Sequence, residues 1–146
     1  MSNFLYDNAR KNFAMGHIRW RSLGGDTFRF LFIDHEYIPD QVNHETLVDI
    51  PLQYRYGRES LGLPTDGFEL IINDPINGIC DAQDITITGL QTGLRIGYIL
   101  IYKEGITDSD SLLLSLISMG QGMPFTTDST DIFIEWNNTQ VKLFRI

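Results

Sequence analysis

A single cysteine, Cys80, serves the whole 146-residue chain, which excludes an intramolecular disulfide framework and any multi-cysteine metal site. Alone, that thiol reads as a small buried hydrophobe rather than a reactive group. Positive charge is scarce as well. Eleven Lys plus Arg stand against nineteen Asp plus Glu, and the formal net charge of -8 repels a phosphate backbone, so direct nucleic-acid binding is not expected. Long apolar runs are missing: Tyr98 to Tyr102 and Leu112 to Leu114 are far short of the roughly 20 residues a bilayer demands, so no membrane association is expected. The first residues carry Asp7, Arg10 and Lys11 and no apolar core followed by small residues, so a secretory signal is not expected either. These absences predict a soluble protein made in a reducing cytoplasm.

What is present suits a packed β domain. A hydrophobic fraction of 42% with nine Phe and six Tyr is that of a folded chain, and one domain over residues 1–146 is the expectation at this length. Ser2 or Asn3 is placed to cap a helix from about Phe4 to Met15, with Leu5, Ala9 and Phe13 on one face, Asp7, Asn8, Lys11 and Asn12 on the other, and Gly16 at the left-handed exit. Beyond Gly16 the period becomes two. Ile18 and Trp20 alternate with His17 and Arg19, and Thr27 to Ile33 sets Phe28, Phe30 and Phe32 on one face with Leu31 and Ile33 on the other, the pattern of a central strand. Further strands are predicted at Gln53 to Gly57, Phe68 to Ile72, Ile85 to Thr88, Arg95 to Lys103 and Leu112 to Ser118, with a turn over Asn73 to Gly78. Asp131 to Trp136 and Gln140 to Ile146 flank Asn137-Asn138-Thr139 and predict a hairpin with Ile132, Ile134 and Trp136 facing the core. The fold class expected is mostly β: a single-domain antiparallel β-sandwich or barrel-like fold with one short N-terminal α-helix.

No motif for catalysis emerges. Asp34, His35, Glu36, Asp40, His44 and Glu45 form the densest group of potential ligands, but their spacing fits no zinc or iron site, and a polar loop is the better account. Asp81, Asp84, Asp108 and Asp110 lack the glycine-hinged loop that fixes calcium. His17, His35 and His44 have no Gly-x-Ser-x-Gly elbow to serve, and the glycine pairs lack the spacing and Lys of a phosphate loop. Asn137-Asn138-Thr139 matches a glycosylation acceptor but coincides with a turn. No catalytic residue, metal or cofactor is therefore expected, and the protein is not expected to be an enzyme.

Two terminal signatures carry a resemblance: Leu5-Tyr6-Asp7-x-x-Arg10-x-x-Phe13-x-x-Gly16-x-Ile18-x-Trp20, and Asp131-Ile132-Phe133-Ile134-Glu135-Trp136-Asn137 running to Leu143-Phe144-Arg145-Ile146. Between them stand Thr46-Leu47-Val48-Asp49-Ile50-Pro51, Asp81-Ala82-x-Asp84-Ile85-Thr86 leading to Tyr98 through Lys103, and Gly122-Met123-Pro124-Phe125-Thr126. In order and spacing these resemble a family of small virion structural proteins of tailed bacteriophages. The chain departs from that family between about Tyr54 and Ile79. The resemblance implies a non-catalytic component of the particle, and a decoration or cement protein between major capsid subunits is the leading expectation. A neck or tail component, such as a head-completion, tail-tube or fibre-attachment subunit, is the alternative. Expected partners are the major capsid protein or other virion proteins, together with self-association in the particle. An enzyme or sugar-binding module would instead show a clustered aromatic and acidic cleft. Because Tyr and Arg are enriched at interface hot spots, Tyr54, Arg55, Tyr56 and Arg58 are the candidate contact residues, joined by Leu5 and Phe13 of the predicted helix.

Overall fold

Seven residues with apolar side chains on both faces need cover on both faces, and the strand they form, β2 (Phe28–Asp34), lies inside the largest sheet. In the computed structural model, which describes residues 4–57, 67–76, 79–88, 92–118, 125–128, 132–134, 136 and 144–145, the other strands in chain order are β1 (Phe4–Leu5), β3 (Arg55–Tyr56), β4 (Phe68–Glu69), β5 (Ile72–Ile76), β6 (Ile79–Ala82), β7 (Ile85–Ile87), β8 (Arg95–Lys103), β9 (Leu112–Ile117), β10 (Phe125–Thr126), β11 (Ile132–Ile134) and β12 (Phe144–Arg145). The one α-helix among the described residues, α1, spans Asp7–Ala14. The seven-stranded sheet runs β1-β9-β8-β2-β3, with β10 beside β8 and β4 beside β2. A two-stranded sheet pairs β11 with β7, and a three-stranded sheet runs β12-β6-β5. Every pairing among the described residues is antiparallel, the fold is mostly β, and the sheets these residues form do not close into a barrel.

Aromatic side chains join the layers. The Trp136 ring stands edge-on to Phe30 at 5.6 Å, and its Nε1–H donates to the Gln83 carbonyl. Trp20 packs on Phe28 at 4.5 Å, and its Nε1–H donates to the Asn73 carbonyl of β5. Both indoles therefore bury their rings against β2 while an edge strand or its flank satisfies their donors. Ile134 and Trp136 are buried, as the sequence predicts, and Ile132 is half-buried.

The helix is shorter than its pattern suggests. It starts at Asp7, with Tyr6 at the N-cap position and no side-chain cap, because Phe4 and Leu5 pair instead with Leu116 and Ser115 of β9. Leu5 therefore reaches the core from a strand and not from a helical face, and only Ala9 and, in part, Phe13 of the predicted stripe lie on α1 toward the core. Ser2 and Asn3 lie outside the described residues. The exit is as predicted: Gly16 has φ 77°, and His17 N–H to Asn12 O (2.8 Å) with Gly16 N–H to Phe13 O (3.2 Å) closes the helix in a Schellman arrangement. That closure makes Asn12 a hub. Its amide donates to Asn8 O at 2.8 Å and its side-chain oxygen meets His17 Nδ1 at 3.1 Å, so Asn12 is buried although the sequence places it on the polar face.

Other expectations change for similar reasons. Ile18 and Trp20 are buried in alternation with exposed His17 and Arg19, yet no strand forms there. Gln53 to Gly57 becomes a 3-10 turn (Leu52–Tyr54) followed by the two-residue β3. Phe68 to Ile72 divides between β4, on the large sheet, and β5, which runs on through Pro75 to Ile76 where a turn is predicted. Asn77 and Gly78 lie outside the described residues. The C-terminal hairpin is replaced: β11 pairs with β7 and β12 with β6, so both run alongside the β6–β7 segment in one direction. Residues 137–143 lie outside the described residues.

Candidate functional site

The predicted contact residues do not share one fate. Arg55 is 3% exposed and acts inside the fold: Nε donates to Ile50 O (2.8 Å), Nη1 to Asp108 Oδ2 (2.7 Å) and Nη2 to Leu47 O. A planar guanidinium supplies this set of donors in one fixed fork, which a Lys could not. Tyr56 is half-buried and its hydroxyl donates to Asp34 Oδ2 at 2.8 Å; Tyr54 is half-buried and packs against the core. Leu5 is buried in β1, and Phe13 is partly covered on α1. Arg58 lies outside the described residues. Leu5 and Arg55 are thus committed to the chain's own packing, while Tyr54, Tyr56 and Phe13 are partly accessible.

The polar cluster is divided by the fold. A bulge between Ile33 and Asp34 brings Asp34 opposite Ile96, and Gly97 passes so near His35 that an added Cβ would lie 2.6 Å from the His35 Cα. Asp34 Oδ1 lies 3.1 Å from His35 Nδ1 and accepts the Glu36 N–H at 2.8 Å, so Asp34, His35 and Glu36 form a group with donor atoms within 4.8 Å of one another. Asp34 already serves three internal partners, counting Tyr56. Asp40, His44 and Glu45 belong elsewhere. The Asn43 side chain, together with the N–H groups of Asn43 and Val42, holds the Asp40 carboxyl below the usual range. Asp84 accepts the Trp136 N–H at 3.0 Å and Asp108 binds Arg55, so the four turn aspartates are not gathered into one site.

One arrangement has no sequence signal. The Tyr6 hydroxyl lies 3.0 Å from that of Tyr37, which lies 2.7 Å from His44 Nδ1, so a polar chain runs from a fully buried ring toward the surface. Tyr37 also stacks on His44 at 5.7 Å and meets Tyr98 edge-on at 5.9 Å. Burial pushes the Tyr37 hydroxyl up to about 12 and drives Tyr6 further above the ordinary tyrosine range. Neither phenol is a ready proton donor near neutral pH, and the chain serves to satisfy buried hydroxyls. Cys80 is fully buried on β6 and burial pushes its thiol up to about 12, which makes it inert.

A shallow cleft of about 470 Å³ is lined by Thr27, Lys103, Glu104, Gly105, Ile106 and Asp110. Lys103 Nζ donates to His17 O at 2.7 Å and lies 3.7 Å from Asp26, while Glu104 accepts from Arg29 Nε at 2.9 Å. Lys103 and Glu104 of this lining are thus each engaged with neighbouring groups.

The segment from Ile38 to Leu52 differs from all of these. It has no strand, yet it is tied at many points: Asp7 N–H to Gln41 O, Gln41 Nε2 to Leu5 O, Leu47 N–H to Ser111 O, Leu113 N–H to Glu45 O, and the Arg55 guanidinium to Leu47 O and Ile50 O. Asp49 Oδ2 accepts the N–H groups of Glu45 and Thr46, closing the 3-10 turn Leu47–Asp49. Leu47 and Ile50 point into the core, whereas Ile38, Val42, Val48 and Leu52 are 60% to 82% exposed.

No family model, curated protein or solved structure matches this chain.

Proposed function

We propose that this chain is a non-catalytic structural subunit of a tailed-bacteriophage particle, a decoration or cement protein that binds where major capsid subunits meet. The observation that carries the reading is the use to which the fold puts the residues of the phage-like motifs. Asp84 holds the Trp136 backbone, and Gln83 in the same motif takes the Trp136 indole N–H. Arg10 donates to Leu5 O, Trp20 to Asn73 O, and Asp49 closes the Thr46-to-Pro51 turn. Polar motif members that hold backbone in place, as Arg10, Trp20, Asp49 and Asp84 do, suit a scaffold, and a scaffold repeated over a lattice strengthens it through many modest contacts. The excess of carboxylates suits a module facing other proteins and away from packaged DNA.

The test is to remove the protein from purified particles, add it back, and image its positions. Density spread over the shell supports cementing. Density confined to the unique tail vertex replaces this reading with a neck or tail subunit, and absence from particles refutes both. Binding to free capsid subunits as strong as to assembled lattice would also refute the clamp, which reads surfaces that coexist only after assembly.

A further inference from the structure

We infer that the segment Ile38–Leu52 is the docking surface for a partner protein whose contact face has an apolar centre and a rim of Lys or Arg; the inference deepens the structural-subunit reading and rests on it for the partner's place in a particle. Three observations lead there. First, the segment is irregular backbone, yet α1, β1, β9 and Arg55 all hold it, so it is already ordered before any partner arrives. An ordered loop loses little conformational freedom on binding, which is the main advantage of preorganisation. Second, its aliphatic side chains are sorted. Leu47 and Ile50 anchor it to the core, while Ile38, Val42, Val48 and Leu52 stand in water although the loop has polar residues enough to face outward. Exposed aliphatics concentrated in one ordered segment mark contact surface more than scattered single ones do. Third, the segment carries Asp40, Glu45 and Asp49 and no Lys or Arg.

That third feature selects the occupant. A second copy would bring these carboxylates against their own kind across a two-fold contact, which opposes self-pairing, whereas a cationic rim complements them and speeds encounter. Asp40 and Asp49 accept backbone N–H groups and hold the loop's shape, so their charge is fixed in place beside the exposed aliphatics.

The probe is a labelled amphipathic peptide of Leu and Lys, which presents the inferred chemistry without any particle, read by fluorescence anisotropy against the intact protein. The expectation is salt-sensitive binding, weakened about tenfold or more in the Val48→Ser, Leu52→Ser double variant, which leaves the charge unchanged. Leu23→Ser and Ile106→Ser, at exposed aliphatics elsewhere, should leave binding as it is, and thermal melting checks that every variant is folded. Equal binding by the double variant and the parent overturns the inference. So does failure of the parent to bind the peptide. Concentration-dependent dimers abolished by Val48→Ser, Leu52→Ser would assign the surface to a second copy and overturn the occupant inferred here. Because no particle takes part, these results are separate from absence of the protein from virions, which refutes the proposed function instead.

Discussion

Along the seven-stranded sheet the β1 and β9 edge is short and covered, whereas among the described residues the β7–β11 pair keeps an exposed face. On one side of the large sheet, β1 lies along Leu116 and Ser115 of β9, the Thr46 bridge and the Glu45 carbonyl cover Leu112 and Leu113, and Arg10 and Gln41 occupy the carbonyl of Leu5. On the other side, β3 and β4 divide the length of β2 between them. By contrast β11 has β7 as its partner, and the outward face of that pair carries Thr86 and an exposed Phe133. β5 is blunted by Pro75 and by the Trp20 indole on Asn73 O. The difference teaches where the fold's cohesion lies. The large sheet holds the fully buried Phe28, Phe30, Leu31 and Leu100, and the small sheets hang on it through Trp136 and Trp20.

Removing residues 1–6 should break the contrast most severely, since it uncovers the β9 edge and takes Leu5 and Tyr6 from the core. The expected outcome is aggregation or loss of a cooperative melt; a truncated protein that melts like the intact one would show that β1 is dispensable. Trp136→Ala should cost about 3–5 kcal/mol, because the buried ring is the contact between the β7–β11 pair and Phe30. A denaturant-melt loss under about 1 kcal/mol would mean the small sheet is not tied there. Arg55→Ala should cost about 2–4 kcal/mol by leaving the Ile50 carbonyl without its Arg55 donor and the Leu47 carbonyl with the Ile50 N–H alone, while Asp108→Asn, at a carboxylate 41% exposed, should cost under about 1 kcal/mol. Equal losses would place the energy in the ion pair rather than in the carbonyls.

Alkaline conditions test both regions at once, through Tyr37 beside the large sheet and Cys80 in a small one. Both groups stay protonated in the folded chain to about 12, against ordinary values of 10.0 and 9.0. The unfolded chain releases its protons first, so their stabilising contribution is whole below pH 9 and is lost as pH rises toward 12. The melting temperature should fall across that window, and Cys80→Ala should remove the earliest part of the fall if the variant packs well. Phe133→Ser should change stability by less than about 0.5 kcal/mol, since its ring is in water; a larger loss by melting would reveal a cover on the open face.

The sequence by itself determined those elements whose pattern is local. β8 runs over Arg95–Lys103 and β9 over Leu112–Ile117, within a residue of expectation, because a short continuous apolar run bounded by polar and turn residues reads as a strand buried on both faces. Gly16 likewise marked the helix exit, where φ 77° suits a residue without Cβ. Only the tertiary structure decided which strands meet. Phe4 and Leu5 left the helix for β9, and β11 and β12 took β7 and β6 in place of each other, since a short apolar run specifies a face and not a partner. Nor does local pattern say which polar groups will be consumed inside. Arg55 stands among tyrosines like a surface contact, but its donors reach carbonyls that only the folded 3-10 turns bring within hydrogen-bonding distance. The outward set of Ile38, Val42, Val48 and Leu52 follows from the same cause: the ties that orient that loop come from α1, β1 and β9, far away in the chain, and side-chain direction in irregular backbone is fixed by such ties rather than by a period.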